Sequence, residues 1–176
     1  DVLGSRGLGD VYKRQVSIIG MPGCGKSTVG AALAKRLGKR FVDLDAEIER
    51  RTGHNIPDIF AQEGEAAFRR YEAEVLAKVA KDNSQVIACG GGVIKNPANT
   101  RALRQNGVVL FIDRPVEALA VGGNRPLSSS AEALRTMEAQ RRPLYRAAAD
   151  AAVPNTGTLE DALRAAMEAL DEIFDS

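Results

Sequence analysis

The sequence predicts an α/β protein: a central five-stranded parallel sheet covered by helices on both faces, three layers in all, with a mobile lid. Three observations carry this. Apolar strand-like runs alternate with amphipathic helical ones along the chain, the pattern of parallel crossover units. The first of these units encloses Gly20-Met-Pro-Gly-Cys-Gly25-Lys26-Ser27, which fits the phosphate-loop pattern G-x-x-x-x-G-K-[ST]. The chain has 176 residues, 44% hydrophobic and 27% charged, enough for one domain with a real core.

Val16 to Ile19 is the strand entering the loop. The helix leaving it runs from Ser27 to about Leu37, with Val29, Ala32, Leu33 and Leu37 inward and Gly38 as its stop. Phe41-Val-Asp-Leu-Asp45 reads as a short strand ending in two acids, and Asn55 caps a helix with Pro57 in its first turn. Phe68, Tyr71, Val75, Leu76 and Val79 recur at three and four, a helix packed on the sheet. Val86 to Ala88 is a buried strand running into Gly90-Gly91-Gly92. A short helix follows over about Asn99 to Gln105, and Val108 to Ile112 is the strongest strand pattern.

Gly122-Gly123-Asn124-Arg125-Pro126 is a mobile loop by composition, within a lid at about 116–130. Ala131 to about Arg142 is helical, and Pro143 ends that helix. Ala152-Val153 is the last strand. Thr158 with Asp161 resembles a capping box opening a final helix that turns Leu159, Leu163, Met167, Leu170 and Ile173 inward.

Residues 1–15 differ from the rest: three glycines, no periodicity, and no methionine before Met21. They read as a disordered, non-native or linker-like leader, leaving 16–176 as a single domain. A net charge of +1 gives no case for nucleic acid or an anionic membrane surface. Cys24 and Cys89 form neither a metal nor a disulfide spacing, and the single histidine, His54, excludes histidine triads and multi-histidine metal sites. No apolar run approaches the ~20 residues that span a bilayer. The expected location is the cytoplasm.

The loop's glycines allow successive backbone N–H groups to turn around a polyphosphate, and the helix N-terminus behind them adds partial positive charge. Gly23, Cys24, Gly25, Lys26, Ser27 and Thr28 therefore read as the nucleotide site, with Lys26 reaching the β- and γ-phosphates and Ser27 a magnesium ion. The alternative is a glycine-rich turn with no ligand. Asp43 and Asp45 lie two apart, so an extended strand presents both on one side; the alternative is a strand-to-helix turn with a capping aspartate. On spacing alone Arg69 with Glu72 reads as a solvated helix pair, and Arg141 as a cation at a helix C-terminus.

Taken in order, Gly20 to Thr28, Phe41-Val-Asp43-Leu-Asp45, Arg51-Thr-Gly53, Ile59-Phe60, Gly64-Glu65 with Phe68-Arg69-Arg70, Gly90-Gly91-Gly92, Arg125-Pro126-Leu127 and Arg141-Arg-Pro143-Leu-Tyr145 resemble the shikimate kinases. The resemblance spans residue 16 to the C-terminus. It implies ATP-dependent phosphorylation of the 3-hydroxyl of shikimate, a step of aromatic amino-acid biosynthesis, by a magnesium-dependent monomer. By resemblance Arg69 and Arg141 clamp the substrate carboxylate, helped by Glu65 and Glu72 on Arg69, and Gly91 and Gly92 bring backbone N–H groups to the substrate. Asp45 accepts from the reacting hydroxyl and takes its proton, and Asp43 helps Ser27 hold magnesium. Arg125 is the lid arginine, catalytic with Lys26 and Asp45. The sequence departs from the pattern in a shorter stretch before Arg125, in the lack of a basic residue over Ala118 to Val121, and in Ser128-Ser-Ser130 after Leu127. Competing expectations are a related small-molecule kinase, such as one acting on gluconate, and a nucleotide-binding module without useful turnover.

Overall fold

A computed structural model of the chain describes residues 14–119 and 130–175. Five strands form one parallel sheet in the order β2-β3-β1-β4-β5. They are β1 (Gln15–Ile19), β2 (Arg40–Asp43), β3 (Gln85–Ala88), β4 (Gly107–Asp113) and β5 (Ala151–Pro154). The helices are α1 (Lys26–Leu37), α2 (Leu44–Thr52), α3 (Ile56–Glu63), α4 (Glu65–Val79), α5 (Pro97–Asn106), α6 (Ala131–Ala148) and α7 (Leu159–Asp175). Short 3-10 turns lie at Val93–Lys95 and Val116–Ala118.

The central strands are apolar because both faces are covered: all five residues of β1 and five of the seven in β4 are buried. Register Val16↔Val86 and Val16↔Val108 places β1 between β3 and β4. The chain leaves β1 for a helix at the point where the strand order turns back, which is where open α/β sheets gather ligands. The expected fold class is the observed one. Residues 120–129 of the expected lid, Arg125 among them, lie outside the described residues, as do residues 1–13.

Four local expectations shift. β1 begins one residue ahead of the expected domain start, because the Gln15 amide is buried and accepts from Gln85 Nε2 at 2.9 Å. β2 ends at Asp43 rather than Asp45. The Asp43 side chain caps α2 by accepting from the Ala46 N–H at 3.2 Å, so Leu44 and Asp45 are helical. Pro143 does not end α6, which continues to Ala148 with the proline inside. Proline forfeits one backbone bond, yet neighbouring anchors hold the helix across it. Arg142 grips Asp113 through both guanidinium nitrogens at 2.9 and 2.8 Å and also bonds Glu138, while Tyr145 stacks on Phe111 at 5.2 Å. Leu159 is 40% exposed rather than inward, whereas Leu163 and Leu170 are buried. The reciprocal bonds between Thr158 and Asp161 form as expected, at 3.1 and 3.3 Å.

Candidate active site

The carboxyl ends of β1, β2 and β3 open into one cavity of about 350 Å³. Gly23, Gly25, Lys26, Ser27 and Thr28 line one end, Arg69, Glu72, Gly91, Gly92 and Arg141 the other, and Asp43 and Asp45 stand between. Of the expected site residues, the structure unites all in this cavity except Arg125, which is outside the described residues, and Cys24. Cys24 is buried behind the loop, and its N–H is taken by the Met21 carbonyl at 3.1 Å. Burial also raises its thiol pKa above the ordinary value, outweighing nearby Lys26. Cys24 therefore offers the cavity neither an N–H nor a thiolate.

At the loop end, Gly25 in left-handed conformation (φ 96°) precedes α1, whose first N–H groups have no partner within the helix. The Lys26 ammonium donates to the carbonyls of Gly20 and Met21 at 2.8 and 2.9 Å. The Ser27 hydroxyl donates to Asp43 Oδ2 at 2.9 Å. The two acids thus face the loop, though not as alternate residues of a strand. Asp43 reaches it as a helix cap, and Asp45 from the first turn of α2.

The Asp45 Oδ1 atom is buried and has no hydrogen-bond partner among the described residues. Burial raises the Asp45 pKa above the ordinary aspartate value, opposed by the charge of Lys26. A carboxylate short of partners and made more basic by burial is suited to accept a hydrogen bond from a ligand hydroxyl.

At the far end, Arg69 on α4 is 19% exposed, and Glu72 one turn along is 1% exposed. Arg69 Nη1 donates to Glu72 at 3.0 Å and Nε to Glu65 at 3.2 Å, while its guanidinium lies over the Phe68 ring at 5.1 Å. Burial at this level rules out the solvated helix pair. Arg141 is 5% exposed and sits mid-helix in α6, because Pro143 fails to terminate it; a helix-end role is thereby excluded. Both residues line the cavity, and a guanidinium group is suited to bidentate capture of a carboxylate. A Cβ on Gly92 would lie 2.4 Å from the Arg69 guanidinium, so only glycine admits that approach.

Tyr145, fully buried, donates its hydroxyl to the Gly91 carbonyl and so fixes the glycine loop from behind, a structural role. Cys89 is a buried strand-end residue, and His54 is exposed in a turn. Sequence reasoning missed Ile56, Phe60 and Met137, which supply apolar wall, and Asn155, which braces the loop from outside the cavity. Helix spacing marks the three apolar residues as inward-facing, and nothing local marks Asn155.

The chain is similar to known proteins of one family. A family model described as shikimate kinase matches residues 22–173. A curated shikimate kinase from Symbiobacterium thermophilum is 42% identical over 167 residues, covering 89% of this chain and 96% of that protein. The solved shikimate kinase of Acinetobacter baumannii, in complex with shikimate, superposes with a TM-score of 0.87 at 35% identity, covering 96% of this chain and 97% of that one. A gluconokinase from Sinorhizobium meliloti reaches a TM-score of 0.56 at 17% identity, covering 93% and 95%, and shares the fold alone.

Proposed function

The chain belongs to the shikimate kinase family, and on that footing we propose that it transfers the γ-phosphoryl group of ATP to the 3-hydroxyl of shikimate, giving shikimate 3-phosphate and ADP. The observation that carries this reading is the single cavity joining Lys26 to Arg69 and Arg141 with Asp45 between them. A cyclic hydroxy-acid lying there presents its carboxylate to two guanidinium groups and an alcohol oxygen to the loop.

Arg69 and Arg141 hold the carboxylate, with Arg69 kept in place by Glu72 and Glu65. Gly91 and Gly92 let the ring approach the backbone. Asp45 accepts from the 3-hydroxyl and takes the proton as the oxygen attacks phosphorus. Lys26 exchanges its two loop carbonyls for phosphate oxygens, and the N–H groups of Gly23, Gly25, Lys26, Ser27 and Thr28 cradle the rest. Arg125 acts from the lid as a further cation on the transferring group. Phosphoryl transfer asks mainly for such positioning and charge neutralisation.

Magnesium fits the residues present. Ser27 and Asp43 are hard oxygen donors 2.9 Å apart at the mouth of the loop. Among the described residues no cluster of three or more acidic, cysteine or histidine side chains gathers around one point. That suits an ion that binds through one or two protein oxygens, water and phosphate rather than an all-protein cage. When bound, it neutralises phosphate charge.

The monomer is the assembly that the resemblance to the family implies. Among the described residues no helix is long and apolar enough to cross a membrane. With its ATP requirement, this favours the cytoplasm.

The test is ADP release with shikimate, gluconate or AMP as acceptor. Stimulation by shikimate alone is expected. Turnover only with gluconate or AMP, or ATP binding with no acceptor-stimulated release, overturns the assignment.

A further inference from the structure

Asn155 does not itself line the cavity, yet it joins three elements that shape it. It follows β5 directly, and its backbone N–H donates to the Asp113 carbonyl at the end of β4 at 2.9 Å. Its side chain is almost wholly buried, and Nδ2 donates to the Cys24 carbonyl in the phosphate loop at 2.8 Å. The next residue, Gly25, has its Cβ direction filled by that same Nδ2 at 2.8 Å, so the amide packs directly against the back of the loop.

A peptide unit is planar and, among the described residues, trans. The carbonyl of Cys24 and the N–H of Gly25 belong to one such unit and point in opposite directions. Holding the carbonyl outward on Asn155 therefore turns the Gly25 N–H inward, where Gly25 lines the cavity. That N–H has no acceptor among the described residues.

The hinge needs a pin because of its own composition. Gly25 sits at φ 96°, and glycine crosses between positive and negative φ at little cost, so the 24–25 peptide is free to flip unless something grips its oxygen. The neighbouring units are already committed: the Cys24 N–H to Met21, and the Gly25 carbonyl to the Val29 N–H at 2.9 Å. Only the carbonyl on Asn155 decides which way the intervening N–H faces.

We propose that Asn155 is a positioning residue for the nucleotide: by holding the Cys24 carbonyl it aims the Gly25 N–H at a phosphate oxygen of ATP. The inference rests on the assignment of ATP to the phosphate loop. It predicts selectivity. Asn155 bears on the nucleotide end of the cavity and not on the Arg69–Arg141 end, which it does not contact.

The experiment compares the full-length wild type with Asn155→Ala, measuring ADP affinity by calorimetry, KM for ATP and for shikimate, and thermal unfolding. The variant is expected to bind ADP about tenfold more weakly, about 1.4 kcal/mol. KM for ATP rises in step, while KM for shikimate stays within about twofold. On adding ADP the Gly25 amide proton, followed by NMR, moves downfield in the wild type and much less in the variant. Asn155→Asp keeps the shape but turns an acceptor toward the Cys24 carbonyl, and so loses at least as much ADP affinity. Unchanged ADP affinity in a folded variant overturns the proposal. So does an equal loss for both substrates that tracks a fall in melting temperature, or failure of both variants to fold, since each leaves Asn155 a role in stability alone. A wild type that binds no ATP overturns the nucleotide assignment itself; wild-type binding with no effect in the variants overturns only the role of Asn155.

Discussion

At the acceptor end of the cavity Arg69 is already held by two carboxylates and laid over an aromatic ring, whereas at the nucleotide end Lys26 rests on two carbonyls of its own loop and Ser27 and Asp43 pair within reach of solvent. One end is built from side-chain ion pairs around the buried Glu72, the other from backbone direction and one ammonium. Buried ion pairs are expensive to break, because the surviving partner is left charged and desolvated. Backbone N–H groups at a helix start are there whatever the side chains do. The acceptor end should therefore couple affinity to stability, and the nucleotide end should not.

The largest break in that comparison is Lys26→Ala. Its ammonium is the charge placed to follow the migrating phosphate, and losing one such preorganised donor costs about 10²–10³ in kcat. Its present partners are loop carbonyls rather than a buried acid, so the melting temperature should stay near that of the wild type. Steady-state rates beside a thermal melt check both halves; near-normal turnover removes Lys26 from the phosphates.

Arg69→Ala should act differently. Loss of a clamp that binds the acceptor equally in ground and transition states raises KM with kcat less affected. The expected rise for shikimate is about 10²-fold, about 2.7 kcal/mol. Here stability falls too, since Glu72 is stranded, and it falls more at pH 8 than at pH 5.5, where Glu72 can take up a proton. An acceptor KM that stays put would detach Arg69 from the substrate.

The two ends were not equally legible beforehand. Eight contiguous residues carry the phosphate loop, and its physics is local, so reading Gly20 to Ser27 was enough. Phe41 to Asp45 reads as one short strand ending in two acids. In the fold Leu44 is buried as a helical residue, after the Asp43 side chain has turned the chain. Pro143 was read as a stop because propensity is local, while the Asp113 carboxylate that holds α6 together across it lies 29 residues before Arg142. Asn155 had no signature, since its partner carbonyl is 131 residues away. The acceptor end depends on such distant pairings, and only the resemblance picked out Arg69 and Arg141.

Gly92→Ala sharpens the contrast without removing any charge. The added methyl would meet the Arg69 guanidinium at 2.4 Å, so the flexible end of that side chain must shift from its carboxylate partners. About a tenfold rise in acceptor KM is expected, with KM for ATP unchanged, read from paired saturation curves. Equal effects on both substrates would mean that the two ends are not separable.

The smallest effect on activity, and the finest probe of the acceptor end, concerns Glu72. Burial lifts its pKa from the ordinary 4.5 to about 7, against the pull of Arg69 and with Asp45 adding repulsion. Between those two values the folded chain holds a proton that the unfolded chain has released, so the folded state binds more protons. This contribution to stability is complete below about pH 4.5 and is lost as the pH climbs through about 7, a change on the order of a few kcal/mol. Asp45 shifts in the same direction and adds to the slope. Glu72→Gln keeps an acceptor for Arg69 but cannot ionise. It should flatten much of the decline in melting temperature between about pH 5 and pH 8 while changing acceptor KM only a few-fold. If both proteins lose stability with the same slope, Glu72 is not the buried acid that titrates, and the acceptor end owes its pH response to Asp45.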